Sequence, residues 1–289
     1  MRIAVTGGSG RVGSAVCREL VSRGHEVFNL DIKAPAEPVG RFFHAPLGQR
    51  EVVQPLLEQV EAVAHLGEIP NIHSGPSPLD VYTHNTQVGG VVLQTAADLK
   101  LKRLVYTSSA QVYGMWSGTC ASPRQLPFDE THPIAPHNAY AVGKVANEIY
   151  ARMVSERQGL SVAIFRLPWV HPGDTLEPLD VTLREWPRAT DGFATYVNVG
   201  DIARAYALAL ERPRAGCEVY HFSAGEILSL HPLRERLRRH HPDFPPLPID
   251  WADFRSPLIT AKARDHLGWE PQWNWLDLYR RKHGEPAVI

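Results

Sequence analysis

The chain has 289 residues, enough for one large domain or a domain with a smaller lobe, and its 30 basic and 31 acidic residues nearly cancel. That balance gives no global signal of a nucleic-acid or acidic-surface partner, and no apolar run reaches the ~18 residues of a membrane span. Cys17, Cys120 and Cys217 are dispersed and odd in number, which points to reduced thiols in a cytoplasmic protein rather than a disulfide framework. The first residues run straight into a strand pattern with no cleavable leader. The histidines are scattered, with no H-x-x-x-H or C-x-x-C pair, so no metal is assigned.

Arg2 to Thr6 reads as a short buried strand, and Ser14 to Arg23 as a helix. Between them runs Thr6-Gly7-Gly8-Ser9-Gly10-Arg11-Val12-Gly13. Strand, glycine-rich turn and helix form the context of a dinucleotide-binding fingerprint. Gly7 permits the tight turn, Gly10 lets the backbone approach a pyrophosphate, and Gly13 lets helix and strand pack closely. The helix N-terminus offers free N–H groups to phosphates. The next strand, His25 to Leu30, ends in Asp31. A carboxylate there suits a ribose 2′-hydroxyl and repels a 2′-phosphate, which favours NAD over NADP. Lys33, two residues on, softens that preference.

Arg41 to His44 reads as a third strand, Glu51 to Gln59 as a helix, and Glu61 to Leu66 as a fourth strand. Leu66 and Gly67 are candidates to line the cofactor, because open parallel sheets bind ligands at the carboxyl ends of their strands. Ile69 to Asp80, rich in proline, glycine and serine, reads as a loop, and Val81 to Leu99 as a helix carrying Asn85. Lys102 to Thr107 is a fifth strand, with Ser108 and Ser109 at its end; their hydroxyls suit either a ligand or a chain cap.

Tyr140-Ala141-Val142-Gly143-Lys144 then sets a phenol and an ammonium on one helix face. A free tyrosine is a poor base at neutral pH, and a neighbouring cation favours the phenolate. A phenol so placed can move a proton on and off a hydroxyl.

Beyond Arg166 the strand pattern weakens. Pro168 to Thr195 reads as irregular, Tyr196 to Val199 as a strand, and Asp201 to Glu211 as a helix. Val219 to Ser223 reads as the last sheet strand, Leu230 to His240 as an arginine-rich helix with a solvated face, and Ser256 to Gly268 as the final helix. His241 to Pro248 is a proline-rich rim. The expected division is a dinucleotide-binding domain of residues 1–166 plus 196–223 and a substrate lobe of residues 167–195 plus 224–289. Trp169, Trp186 and Trp251 are candidates to line the lobe.

The chain resembles the extended short-chain dehydrogenase/reductase family, which includes the NAD-dependent sugar epimerases and dehydratases. The resemblance rests on TGGSGRVG at 6–13, Asp31, Ala64-His65-Leu66-Gly67, Asn85, TSSAQVYG at 107–114, Tyr140 with Lys144, Arg166, YVNVGDIARA at 196–205 and LGWEP at 267–271. It implies a Rossmann-like, doubly wound parallel α/β sheet with a small mixed C-terminal lobe. It also implies catalytic roles for Tyr140 (acid/base), Lys144 (holding the nicotinamide ribose) and Ser109 (orienting the substrate hydroxyl). Cofactor contacts would come from Gly7, Gly10, Arg11, Val12, Gly13, Asp31, Leu66, Gly67, Asn85, Ser108 and Pro168, besides Tyr140 and Lys144.

The implied enzyme oxidises a hydroxyl of a sugar or sugar derivative with NAD, as a homodimer. Ketone release would make it a dehydrogenase; re-reduction would make it an epimerase, including the nucleotide-sugar type. A reading of another class is a non-catalytic NAD sensor. Three departures from the family pattern matter. Ala110 and Gln111 stand where sugar dehydratases carry an acidic pair, which argues against dehydration. Trp169 and Ala194 stand where nucleotide-sugar enzymes often have an asparagine and a diphosphate-gripping arginine, with Arg184, Arg188 and His171 nearby. Ala45-Pro46-Leu47-Gly48 offers no carboxylate to the adenine, so packing would hold that ring.

Overall fold

A computed structural model describes residues 1–70, 75–115, 121–173 and 193–283. Its strands are β1 (Arg2–Thr6), β2 (Glu26–Asp31), β3 (Arg41–His44), β4 (Ala62–His65), β5 (Arg103–Ser109), β6 (Ser161–Leu167), β7 (Trp169–His171), β8 (Tyr196–Asn198) and β9 (Cys217–His221). Its helices are α1 (Arg11–Ser22), α2 (Arg50–Leu57), α3 (Pro78–Asp98), α4 (Ala139–Gln158), α5 (Val199–Glu211), α6 (Leu233–His240), α7 (Ala261–Leu267) and α8 (Trp275–His283). Seven strands form one sheet in the order β3-β2-β1-β4-β5-β6-β9, every pair parallel. Ile3, Ala4 and Val5 are fully buried, as expected of a strand covered on both faces, so the strand reads as an unbroken apolar run.

On one face α1 and α5 bury Val16, Leu20, Ile202 and Tyr206 against Val5, Val105 and Phe165. On the other, α2, α3 and α4 bury Val53, Leu57, Val88, Val92 and Val154 against Ala4, Val63 and Ile164. The chain winds outward from β1 to β3, then returns to lay β4 on the other side of β1. That reversal makes the carboxyl ends of β1 and β4 the topological switch point, the place where such sheets bind ligands. A buried ion pair fixes α4 over the sheet. Arg166 on β6 donates to Glu148 through Nε (3.0 Å) and Nη2 (2.7 Å), and Ser108 Oγ donates to the same carboxylate at 2.5 Å. Among the described residues no helix is long and apolar enough to cross a membrane.

The structure corrects several expected boundaries. Helix α3 starts at Pro78, inside the stretch read as a loop, because Ser77 and Asp80 cap each other's backbone N–H reciprocally. Trp169–His171 is not irregular but a strand, paired in parallel with Tyr196–Asn198. Ala261–Leu267 is not the final helix: α8 follows, seating Trp275 beside Tyr196, Ala224 and Leu228. A further apolar cluster joins Phe193, Leu233, Leu237 and Leu258 to Val112, Tyr113 and Phe128 of the segment after β5.

Candidate active site

The glycine turn lies at the end of β1. Gly7 has φ +67°, in the left-handed region, and a Cβ there would sit 2.7 Å from Gly67 Cα. A Cβ on Gly13 would lie 2.1 Å from Gly7 O, so α1 leaves the turn at a closeness only glycine allows. The start of α1 has no side-chain cap and no acidic residue in its first turn, and a Cβ on Gly10 would meet only Gly7 O, at 3.2 Å. Uncapped N–H groups beside an open backbone suit a pyrophosphate. Arg11 and Val12 are the first two residues of that helix. Asp31, at the tip of β2, accepts from Ser9 N and Lys33 N, each at 3.0 Å. Its two oxygens keep further lone pairs for ribose hydroxyls. This cradle fits a dinucleotide with an unphosphorylated ribose.

Tyr140 and Lys144 are both buried on the first turns of α4, whose N-cap is the Asn138 side chain accepting from Ala141 N. The Lys144 ammonium lies 5.5 Å from the centre of the Tyr140 ring. It donates to Thr107 O on β5 at 2.6 Å and to Glu68 Oε2 at 2.7 Å. Glu68, just after β4, also accepts from Asn147 Nδ2 at 3.0 Å and lies 3.4 Å from His65 Nε2. Thr6 Oγ1 accepts from Leu66 N and Gly67 N, so its own hydrogen goes to His65 Nδ1, 2.6 Å away. That choice leaves the imidazole hydrogen on Nε2, facing Glu68. Polar groups therefore follow one another from the glycine turn through Thr6 and His65 to Glu68 and Lys144, hydrogen-bonded at each step except the 3.4 Å approach of His65 Nε2 to Glu68. Leu66 and Gly67 lie beside them, and a Cβ on Gly67 would sit 2.2 Å from the Leu47 side chain.

The remaining predicted residues divide. Ser109 ends β5, nearly buried, with its Oγ accepting from Gln111 N at 3.2 Å. Pro168 follows β6 and is buried. The hydroxyl of Ser108 is engaged by Glu148 in the core. Asn85 clamps the turn after β4: its side chain accepts from Ile69 N and donates to Ile69 O. Trp169 is 42% exposed. Trp251 packs against the lobe cluster beneath the Arg255 guanidinium. Trp186, Arg184 and Arg188 lie outside the described residues.

Glu68 and Asn147 are the residues that sequence reasoning missed. The one signal was an acidic residue directly after His65-Leu66-Gly67, at the end of a strand too apolar to expose it. Burial alone would raise the Glu68 carboxyl, but the Lys144 ammonium and His65 outweigh it and hold it below the usual range. Lys144 is held above its ordinary value, Glu68 outweighing the cost of burial.

A doubly wound sheet with a glycine cradle, a carboxylate at the tip of β2 and a buried Tyr–Lys pair fits a dinucleotide-dependent enzyme that moves protons at a hydroxyl or carbonyl. The chain belongs to the NAD dependent epimerase/dehydratase family, whose model matches residues 3–171, and its cofactor is NAD. It is similar to the UDP-glucose 4-epimerase of Lacticaseibacillus casei, 26% identical over 96% of this chain and 94% of that one. It is also similar to the dTDP-glucose 4,6-dehydratase of Streptomyces niveus, 28% identical over 96% and 90%. The solved UDP-glucose 4-epimerase of Thermus thermophilus in complex with NAD superimposes with a TM-score of 0.69 at 26% identity, over 95% of each chain.

Proposed function

We propose that this enzyme oxidises a hydroxyl of a sugar or sugar derivative. The observation that carries the proposal is the buried Tyr140–Lys144 pair beside the glycine turn. Tyr140 Oη takes the hydroxyl proton. Ser109 Oγ orients that hydroxyl, and Lys144 holds the phenolate form and the nicotinamide ribose. NAD, when bound, supplies the hydride acceptor. Ala110 is buried and Gln111 spends its side-chain oxygen on Asn138, so neither provides the acid that an elimination needs.

Screening uronic acids, free aldoses and nucleotide sugars with NAD tests the reading. A dehydrogenase accumulates NADH, whereas an epimerase converts its sugar, seen by NMR, with no net absorbance change. Tyr140→Phe should lower turnover by about 10²–10⁴-fold. Turnover by Tyr140→Phe at the wild-type rate would overturn the assignment. Epimerisation of a nucleotide-linked sugar is the second reading, favoured by the nearly full-length likeness to UDP-glucose 4-epimerase. Trp169 and the buried Ala194 weigh toward a smaller sugar.

The substrate lobe would comprise residues 167–195 and 224–289, with residues 1–166 and 196–223 holding NAD. The enzyme would work in the cytoplasm, as its dispersed cysteines suggest, and as a homodimer through α3 and α4. Leu79, Tyr82, Val142 and Ile149 leave large apolar side chains exposed on these two adjoining helices.

A further inference from the structure

Lys144 has a partner that proton transfer at Tyr140 does not require. The side chains of Lys144 and Glu68 are 4% and 2% exposed, with Nζ and Oε2 2.7 Å apart. A carboxylate at that distance cancels much of the ammonium's field beyond the pair, and side chains so buried are little screened by solvent. Glu68 is fixed from several sides. Asn147 Nδ2 donates to it at 3.0 Å, Tyr106 OH at 3.4 Å, and His65 Nε2 lies at 3.4 Å. Asn147 is itself held by Asn85 O at 2.9 Å. The negative charge therefore has a set position. Of the three N–H donors of Lys144, Glu68 and Thr107 O take two, leaving one for a cofactor hydroxyl.

We propose that Glu68 is a positioning residue that clamps the Lys144 ammonium and sets how strongly its charge acts on the Tyr140 phenol. The fixed negative charge of Glu68 opposes the stabilisation that the Lys144 ammonium offers a Tyr140 phenolate. The proposal rests on Tyr140 being the acid/base. Among the described residues, the other ionisable groups around the pair are His65 from β4, Tyr106 from β5, Glu148 from α4 and Tyr206 from α5. None of them touches Lys144 Nζ through a hydrogen bond as Glu68 does.

The test reads the phenol directly and needs no substrate. The tyrosinate ultraviolet absorbance of the full chain is titrated with pH, and the curve of Tyr140→Phe is subtracted to isolate Tyr140. The same subtraction is made in a Glu68→Gln background. NAD binding by calorimetry verifies the fold of every variant except those with Tyr140→Phe, which are checked by circular dichroism. In Glu68→Gln the Tyr140 curve should move to lower pH by about one pH unit, because the ammonium is no longer compensated. Superimposed curves would overturn the proposal. Should Glu68→Gln fail to fold, Glu68→Asp decides. It keeps the charge but draws it back from Nζ, so a smaller move in the same direction supports the proposal and no move overturns it. Failure of the acid/base assignment shows elsewhere, as unchanged turnover in Tyr140→Phe, and leaves the titration readable.

Discussion

His221 shows how one buried side chain ties stability to pH. Its Nε2 lies 2.5 Å from the Tyr113 hydroxyl, which accepts from Arg166 Nη1 at 2.8 Å and so has its hydrogen to give to the imidazole. The ring is fully buried, and burial together with the Arg166 guanidinium pushes its pKa down to about 3, against smaller upward contributions from the Ile259 backbone and Asp129. The unfolded chain has an ordinary histidine there, titrating near ~6.5. Between those two values the unfolded state binds a proton that the native state does not. Stability from this group is therefore complete above about pH 6.5 and is lost as pH falls toward 3, at up to about 1.4 kcal/mol per pH unit. Urea unfolding at pH 7 and pH 5 should show wild type losing more stability than His221→Gln, whose amide oxygen can still accept from Tyr113. Equal losses in the two proteins would show that His221 carries no such linkage.

At the scale of elements, the glycine turn and α1 act as one unit. Gly13→Ala would drive a methyl to 2.1 Å from Gly7 O. Either α1 shifts or the turn opens, and both move the N–H groups that would face a pyrophosphate. We expect Gly13→Ala to weaken NAD binding by at least about tenfold, roughly 1.4 kcal/mol by calorimetry, while far-ultraviolet circular dichroism stays close to wild type.

The same turn shows what was legible in the sequence. Its glycines are local requirements, so they appear as letters in a fixed spacing. The buried parallel strands appear as apolar runs because both faces of the sheet are covered. Strand β7 did not appear, since three residues gain strand geometry only by pairing with β8, a tertiary event. The start of α3 was written in Ser77, Pro78 and Asp80, but the turn-forming residues before it masked the cap. Glu68 was illegible as a site residue for a related reason. Its meaning lies in Lys144 and Asn147, more than seventy positions away in sequence.

At the scale of the molecule, the outer surface of α3 and α4 remains to be accounted for. These helices are joined from within by Asn147 donating to Asn85 O and by Tyr150 donating to Gln94. Scattered exposed apolar residues are ordinary on a protein surface. Leu79, Tyr82, Val142 and Ile149 are instead concentrated on two adjoining helices, with Ile149 63% exposed. Val142 and Ile149 are seven residues apart and so share one side of α4. A second copy offers the same helices, and a two-fold pairing would bury them as a four-helix contact. Since α4 also carries Tyr140 and Lys144, that contact would stiffen the element holding the proton shuttle. Sedimentation at micromolar concentration should give the mass of a dimer. Ile149→Lys should give a monomer whose circular dichroism is unchanged, because the side chain is 63% exposed in its own subunit. A wild-type protein that sediments only as monomer would leave this surface without the partner assigned to it, and the rigidity of α4 would then come from the Arg166–Glu148 pair and the core alone.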